Sequence, residues 1–393
     1  MGEGIDGLDP QGVGIRLREA RKARRLTQGQ AARSLGVART TLTAIEKGQR
    51  PIRPDELIKL SDLYGRQVSY FLRATPGTGS VRAQLSAIPA ASLAPEATDE
   101  FSKLCDDYAF LEGVNGVHST PKVQTYEVTH LPPDRAGELL AAAERSRLVL
   151  GDGPVPDLRL LLEEGGGLRV FYLDLPSGVS ALYAYTSAHG GCLAVARDQT
   201  LEVTRWDLAF EYGRFLMDRY KAHVLTARER QGASWADRAA ASFAGSFLLP
   251  AEAISHRLDL IYRVGEAGLS PADVLAMAAD FGVSLKTAVS RLEELRRLPR
   301  GAWADIDRAG LRGSEAPAVF GTSAVTGREE KLPRRYLLLA MKAYAQARIS
   351  EGQLAEVLGT DRLGARDRVR ALLQDTGVDS LDKLVEPFRK GKR

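Results

Sequence analysis

Apolar positions near the start of the chain recur at helical spacing in four short runs. Between Arg16 and Arg25, Leu17 and Ala20 share one face of a basic amphipathic stretch. Thr27 is a good N-cap, and Gln28 to Leu35 follow with Ala31, Ala32 and Leu35 on one side. Gly36 can take the left-handed conformation that a tight stop requires, and Val37 packs at the turn. A third helix is expected from about Arg39 to Lys47, with Leu42 and Ile45 inward and Gly48 ending it. A fourth, Asp55 to Tyr64, carries Leu57, Leu60 and Leu63. The small residues inside the second helix let the third cross it closely, leaving the outer face of the third free.

The pattern then changes. Thr75 to Pro95, rich in Pro, Gly and Ser, reads as a flexible connection. Glu96 to Leu111 is helical, and Phe101, Leu104, Tyr108 and Leu111 form a packing or dimer surface. Arg135 to Leu148 and Val155 to Glu163 are further helices, and Gly165-Gly166-Gly167 breaks the chain. Short strands are expected at Leu168–Leu173, Val179–Tyr185 and Gly191–Ala196. Long helices follow at Val203–Tyr220 and Trp235–Leu249, the second ending at Pro250. Ala272–Phe281, Gly282-Val283-Ser284 and Leu285–Leu295 have helix-turn-helix-like spacing. Leu332 to Leu373 is helical with breaks at Ile349-Ser350 and Gly359-Thr360-Asp361. In neither C-terminal segment does the sequence concentrate basic residues on a recognition face, so packing or partner contact is favoured over a second DNA reader. The tail Arg389–Arg393 is basic but short and reads as a solvated end. The fold class expected is mainly α with a small β-sheet (α+β).

Composition adds three constraints. The 393 residues allow two or three domains. No apolar stretch approaches the ~20 residues that span a bilayer, and Met1–Pro10 lacks the apolar core of a signal peptide. A cytoplasmic protein without membrane partners is expected. Two cysteines, Cys105 and Cys192, support neither a disulfide framework nor a four-thiolate metal site. The five histidines lie far apart, no two at helical ligand spacing, and no cofactor is expected. Charge is uneven. Residues 15–73 carry fourteen Lys/Arg against five Asp/Glu, an excess of nine positive charges, so the rest of the chain is net −5 within an overall +4. A basic module on a mildly acidic body points to a polyanion partner, the alternative being a solvated basic helix face.

The outer face of the third helix supplies the chemistry for that partner. Arg39, Thr40, Thr43 and Ala44 lie toward it. Arg can donate two bonds to guanine in the major groove, and Thr can touch a thymine methyl. Gln28, at the start of the second helix, is placed to meet a phosphate. Lys47, Arg50 and Arg53 are candidate backbone clamps. The string Thr27-Gln28, Leu35-Gly36-Val37, Thr43-x-Ile45-Glu46-Lys47-Gly48 and Pro51 resembles the lambda-repressor/Cro type of helix-turn-helix, the XRE family. The resemblance implies that Glu46 packs against the domain rather than reading bases. The alternative is a helical bundle used for protein contacts.

The order helix, small sheet, long helix, second helix and Leu-Leu-Pro over roughly residues 97–300 resembles the ImmA/IrrE family, zincin-like metallopeptidases often fused to a helix-turn-helix. The resemblance implies a Leu-Ala-His-Glu-x-Gly-His string on the long helix and a third ligand, Glu, on the next. Here the string is Leu208-Ala209-Phe210-Glu211-Tyr212-Gly213-Arg214, and Asp237 stands at the third position. Leu208, Ala209, Gly213, Phe243, Ala244 and Pro250 keep the scaffold. The ligands are lost, since Phe cannot ligate and Arg stays protonated. A catalytic zinc needs about three protein ligands and an open water position, so Glu211 has no activated water to deprotonate. Phe210, Glu211, Arg214 and Asp237 are therefore vestigial metal-site positions in a pseudo-peptidase. Arg214 and Asp237 are expected to pair as a charge-assisted, bidentate bridge that ties the two helices as zinc does in active members, with Glu211 able to join. The alternative is Arg214 in solvent or paired with Asp218. His223 is placed past the helix end or on another face and is given no role. In related fusions the family implies acyl-thioester-type effectors, and those proteins carry an iron–sulfur cluster that two cysteines here do not support.

The organisation expected is an arm at 1–14, the helix-turn-helix domain at 15–73, a linker at 74–95, the pseudo-peptidase domain at 96–300 and a C-terminal helical region at 301–393. The function expected is a sequence-specific, dimeric transcriptional regulator, a repressor, binding palindromic duplex DNA and answering to a small-molecule or protein effector. A metallopeptidase that cleaves a partner regulator is one alternative. The other is an antitoxin or defence-system protein with autoregulatory DNA binding.

Overall fold

A computed structural model describes residues 10–24, 26–65, 68–71, 81–86, 88, 95–117, 123–124, 126–186, 189–230, 232–264, 269–308 and 330–376. The first five helices are α1 (Pro10–Ala23), α2 (Gln28–Leu35), α3 (Arg39–Glu46), α4 (Pro54–Tyr64) and α5 (Val68–Phe71). They close over a core of their own, built from Val13, Leu17, Ala31, Ala32, Leu35, Leu42, Ile45, Leu57, Leu60 and Phe71. The expected arm at 1–14 is corrected here, because α1 begins at Pro10 and Val13 is buried. Residues 1–9 lie outside the described residues.

The expected linker at 74–95 is corrected in part. Residues 81–86 form α6 (Val81–Ser86), whose Val81 and Leu85 are buried, and Gln84 Nε2 donates to Tyr185 O at 2.7 Å. Next come α7 (Pro95–Val114), α8 (Pro133–Arg147) and α9 (Leu158–Leu161), which runs into a π-helical turn at 162–166. Strands β1 (Leu168–Leu173), β2 (Val179–Thr186) and β3 (Gly190–Ala196) lie where the runs of β-branched and aromatic residues predict them. A fourth, β4 (His223–Thr226), is too short to announce itself. The sheet order is β1-β3-β2-β4, with β1 parallel to β3 and the other pairs antiparallel.

Strands β1, β2 and β3 are buried on both faces, and successive side chains feed two different cores. Val170, Tyr172, Ala181, Tyr183, Leu193 and Val195 face the core built on α8, α10 (Leu201–Asp218) and α12 (Trp235–Leu248). Phe171, Leu173, Leu182, Ala184, Cys192 and Ala194 face the second core. Connecting the elements of the first core are β4, α11 (Ala227–Arg230), α13 (Ala251–Val264), α14 (Pro271–Phe281), α15 (Leu285–Glu294) and α16 (Ala302–Arg308).

The second core is closed by α6, α7 and three C-terminal helices, α17 (Arg334–Ala345), α18 (Glu351–Val357) and α19 (Arg362–Thr376). Tyr108, Phe171 and Tyr336 meet edge to face across it, with ring centroids 5.4–6.4 Å apart. The boundary expected at 300 therefore does not separate two cores, since the helices after Glu330 cover one face of the central sheet. Among the described residues, no helix is long and apolar enough to cross a membrane.

Candidate functional site

The geometry of α2 and α3 follows from local sequence. Thr27 Oγ1 accepts from Gln30 N at 3.3 Å while Gln30 Oε1 accepts from Thr27 N at 2.8 Å, a reciprocal capping box. Gly36 closes α2 at φ 78°, and its N–H returns to Ala32 O and Arg33 O. Ala31 and Ala32 are buried, so α3 lies close against α2 through Leu42 and Ile45. Gly14 of α1 sits equally close to the end of α3, where a Cβ would stand 2.4 Å from Ile45 O.

Glu46, at the last turn of α3, is buried and ties three helices. Its carboxylate accepts from Arg21 Nε at 2.6 Å, Arg21 Nη2 at 3.0 Å and Gln28 Nε2 at 2.9 Å. The hydrogen bond to Glu46 raises the Arg21 guanidinium pKa still further, against the effect of burial. Glu46 therefore packs inward, as the XRE resemblance implies. Gln28, expected at a phosphate, spends its side-chain amide on this clamp.

The eight residues expected to meet DNA fall into three groups. Arg39, Thr40 and Lys47 are exposed, and Thr43 and Ala44 are half-buried beside them, so five share the outward side of α3. Thr43 Oγ1 donates to Arg39 O at 2.9 Å. Arg50 and Arg53 converge on buried Glu56. Arg50 is bidentate at 3.0 and 2.9 Å, and Arg53 Nη2 reaches the same carboxylate at 3.1 Å. Burial opposes ionisation of Glu56, but the Arg50 hydrogen bonds, the Arg53 N–H and both positive charges outweigh it, so its carboxyl sits below the usual range. Gln28 stands apart, at Glu46.

The four residues expected at vestigial metal positions take three separate sets of partners. Arg214 Nη1 on α10 donates to Asp237 Oδ1 on α12 at 2.9 Å, with each side chain about 7% exposed. The contact is a single hydrogen bond rather than a bidentate fork. The other Asp237 oxygen accepts from Ser234 N at 2.9 Å and Ser234 Oγ at 2.6 Å, so one carboxylate caps α12 and holds it to α10. Glu211 does not join this pair. It faces His223 on β4, whose Nε2 lies 2.8 and 2.7 Å from its two oxygens. The strand folds back under α10, which a reading of helix periodicity alone does not reveal. Phe210 stacks on Trp206 with centroids 5.0 Å apart.

These residues do not fit a catalytic zinc. Phe210 offers no lone pair, Arg214 brings a fixed positive charge to the Asp237 oxygen, and the one histidine is turned onto Glu211. Among the described residues, no group of three or more His, Cys, Asp or Glu is arranged to hold a metal ion. Next to this position a cleft of about 460 Å³ opens between α10, α12 and α15, lined by Trp206, Arg230, Arg238, Ser242, Lys286 and Thr287 among others. Arg230 also pairs with Asp207 on α10, a carboxylate that burial pushes up to about 6 against the pull of Arg230.

Comparison with known proteins follows the same division. Residues 17–71 match the helix-turn-helix family, and residues 163–293 match the IrrE N-terminal-like domain. No curated protein matches the chain. Among solved structures, PlcR of Bacillus thuringiensis in complex with the peptide PapR7 and DNA aligns over 97% of this chain and all of its own, at 10% identity and a TM-score of 0.17. ComR from Streptococcus suis aligns over 96% of this chain and 94% of its own, at 12% identity and a TM-score of 0.16. Superpositions this loose carry no argument about fold or function. The chain thus joins an XRE-type helix-turn-helix domain, ahead of residue 72, to an IrrE N-terminal-like domain at residues 163–293.

Proposed function

We propose that the chain is a sequence-specific transcriptional regulator, a dimeric repressor whose central domain has exchanged zinc chemistry for structure and sensing. The observation that carries this reading is the outward side of α3. Arg39, Thr40, Thr43, Ala44 and Lys47 lie together there, while the Arg21–Glu46–Gln28 clamp holds the helix from behind. In this reading Arg39, Thr40, Thr43 and Ala44 face base edges in the major groove. Lys47 meets the phosphate backbone, and Arg50 and Arg53, oriented by Glu56, add phosphate contacts at the rim. Gln28 contributes through its backbone N–H at the start of α2. A two-fold dimer presents two such helices about one turn of duplex apart, which requires a palindromic operator. The cleft beside Trp206 is the place for an effector.

The experiment is a binding-site selection from random duplexes followed by affinity measurements on the selected and scrambled sites. Arg39→Ala is expected to cost about 1–3 kcal/mol on the selected site and to relax preference at one base pair. Lys47→Ala is expected to weaken every duplex alike and to lower the salt dependence by about one contact. Equal losses on all duplexes for both variants would contradict the assignment. Elemental analysis addresses the peptidase alternative, and near-stoichiometric zinc in the purified chain would reopen it.

A further inference from the structure

The turn that builds the N-terminal domain recurs near the end of the described chain. Thr27-Gln28-Gly29-Gln30-Ala31-Ala32 aligns with Ser350-Glu351-Gly352-Gln353-Leu354-Ala355, Leu35-Gly36 with Leu358-Gly359, and Arg39 with Arg362. The geometry repeats with the residues. Gln353 N donates to Ser350 Oγ at 3.2 Å, and Ser350 N donates to Gln353 Oε1 at 2.8 Å. Gly359 takes φ 63°, as Gly36 takes 78°. The inward positions Ala31, Ala32, Leu35 and Leu42 correspond to Leu354, Ala355, Leu358 and Ala365, and all eight are buried, whereas buried Ile45 corresponds to exposed Arg368, where the repeat ends.

The same register assigns the outward positions. Arg39, Thr40, Thr43, Ala44 and Lys47 correspond to Arg362, Leu363, Arg366, Asp367 and Arg370, and all five of the latter are exposed. Arg362, Arg366 and Arg370 are four residues apart and make one cationic stripe along α19. From sequence the arginines look scattered among apolar residues, which favours packing or partner contact. In the structure the apolar residues Ala365, Val369 and Leu373 turn to the core and the stripe stands clear.

We infer that α18 and α19 form a second contact to duplex DNA, in which Arg362, Arg366 and Arg370 grip backbone phosphates. Charge complementarity favours this occupant, with eight Lys/Arg against five Asp/Glu over residues 334–376. The guanidinium fork suits phosphate geometry. The present partners of the stripe are easily exchanged. Arg366 meets Glu351 at 3.1 Å and Arg370 meets Asp367 at 2.9 Å, and the two arginines are 60% and 66% exposed. Exposed pairs of this kind hold weakly. Leu363 and Asp367 stand where the first domain has Thr40 and Ala44, so the base-facing residues of α3 are not repeated and the three arginines are what the element offers to DNA. Tyr336 Oη donates to Val357 O at 2.7 Å and fixes α18 to α17, while buried Ala365, with Val369 and Leu373 beside it, packs α19 onto the same core.

The test uses the full chain and a long mixed-sequence duplex, with affinity measured across a series of salt concentrations. R362A/R366A/R370A is expected to lower the slope of log affinity on log salt by roughly 2–3, the loss of three phosphate contacts. R362K/R366K/R370K, which keeps the charges, is expected to hold the slope near wild type, and base preference is unchanged in both. An Ala variant that keeps the full slope, or a Lys variant that loses as much as the Ala variant at an unchanged melting temperature, overturns the proposal. Arg362→Glu is a single change at an exposed position, for use if the triple variant is unstable. It should weaken binding at low salt and not at high salt, and no effect at low salt counts against the stripe. The first domain's role is separable, because Arg39→Ala alters base preference and leaves this salt response in place.

Discussion

At the residue scale, a charge pair holds two helices of the central domain together. Arg214 and Asp237 are both buried, and removing one member of such a pair leaves an uncompensated charge. Asp237 keeps its two Ser234 hydrogen bonds, which softens the loss. Arg214→Ala is expected to destabilise by about 2–4 kcal/mol in chemical denaturation. R214M/D237N, which removes both charges and keeps volume, is expected to recover at least half of that. A double variant worse than the single one would mean that the pair does not act as a unit. Glu163 offers a second test. It is almost wholly buried beside Arg159 at 3.0 Å, and burial raises its carboxyl to about 7 in spite of that partner. Its folded pKa lies above its unfolded one, so folding takes up protons between the ordinary carboxylate range and about pH 7. Stability from this group is therefore undiminished at acidic pH and falls as pH rises through 7. Glu163→Gln is expected to leave the melting temperature at pH 5 nearly unchanged and to stabilise the chain at pH 8 by roughly 1–3 kcal/mol. An equal shift at both pH values would place the effect elsewhere.

At the element scale, legibility tracks how much of an element's stability is local. Helix α2 carries its own capping box and turn glycine, so sequence places it to the residue, and α3, which follows that turn with no side-chain cap at Ala38, ends one residue before the expected Lys47. The first three strands are six to eight residues long and mostly apolar, and sequence places their ends to within one residue. The fourth has four residues and exists because β2 pairs with it, which no local signal encodes. For the same reason His223 was not connected to Glu211. The start of α1 falls inside the arm expected at 1–14, and Gly14 is there for close approach to α3. A Cβ at Gly14 would stand 2.4 Å from Ile45 O and 2.9 Å from Glu46 O. Gly14→Ala is expected to force α1 away from α3, costing about 1–3 kcal/mol and weakening DNA binding without changing base preference. Wild-type stability measured by thermal melting of this variant would show that the contact is looser than it stands here.

At the scale of the whole molecule, the sheet decides which parts of the chain depend on one another. Its two faces feed two cores, and the second is completed only by helices that follow Glu330, with Tyr336, Leu339, Leu354 and Leu358 set against Phe171, Leu182 and Ala194. The five N-terminal helices share no residue with either core. Ending the chain at 329 would therefore leave that sheet face covered by α6 and α7 alone and expose the part that the C-terminal helices bury. Burying a large apolar side chain is worth about 1.5–3 kcal/mol, and a domain's net stability is only about 5–15 kcal/mol, so losing several such contacts exceeds what the rest can supply. Chain 1–329 is expected to lose the cooperative thermal transition of the central domain and to expose apolar surface to a hydrophobic dye, while the helix-turn-helix keeps its own transition. Removing residues 1–72 is expected to do the opposite, leaving the central transition within a few degrees of the intact chain. If instead 1–329 melts as the full chain does, the C-terminal helices only rest on the sheet. The stripe on α19 would then lose the rigid mount that lets its phosphate contacts act together with those of α3.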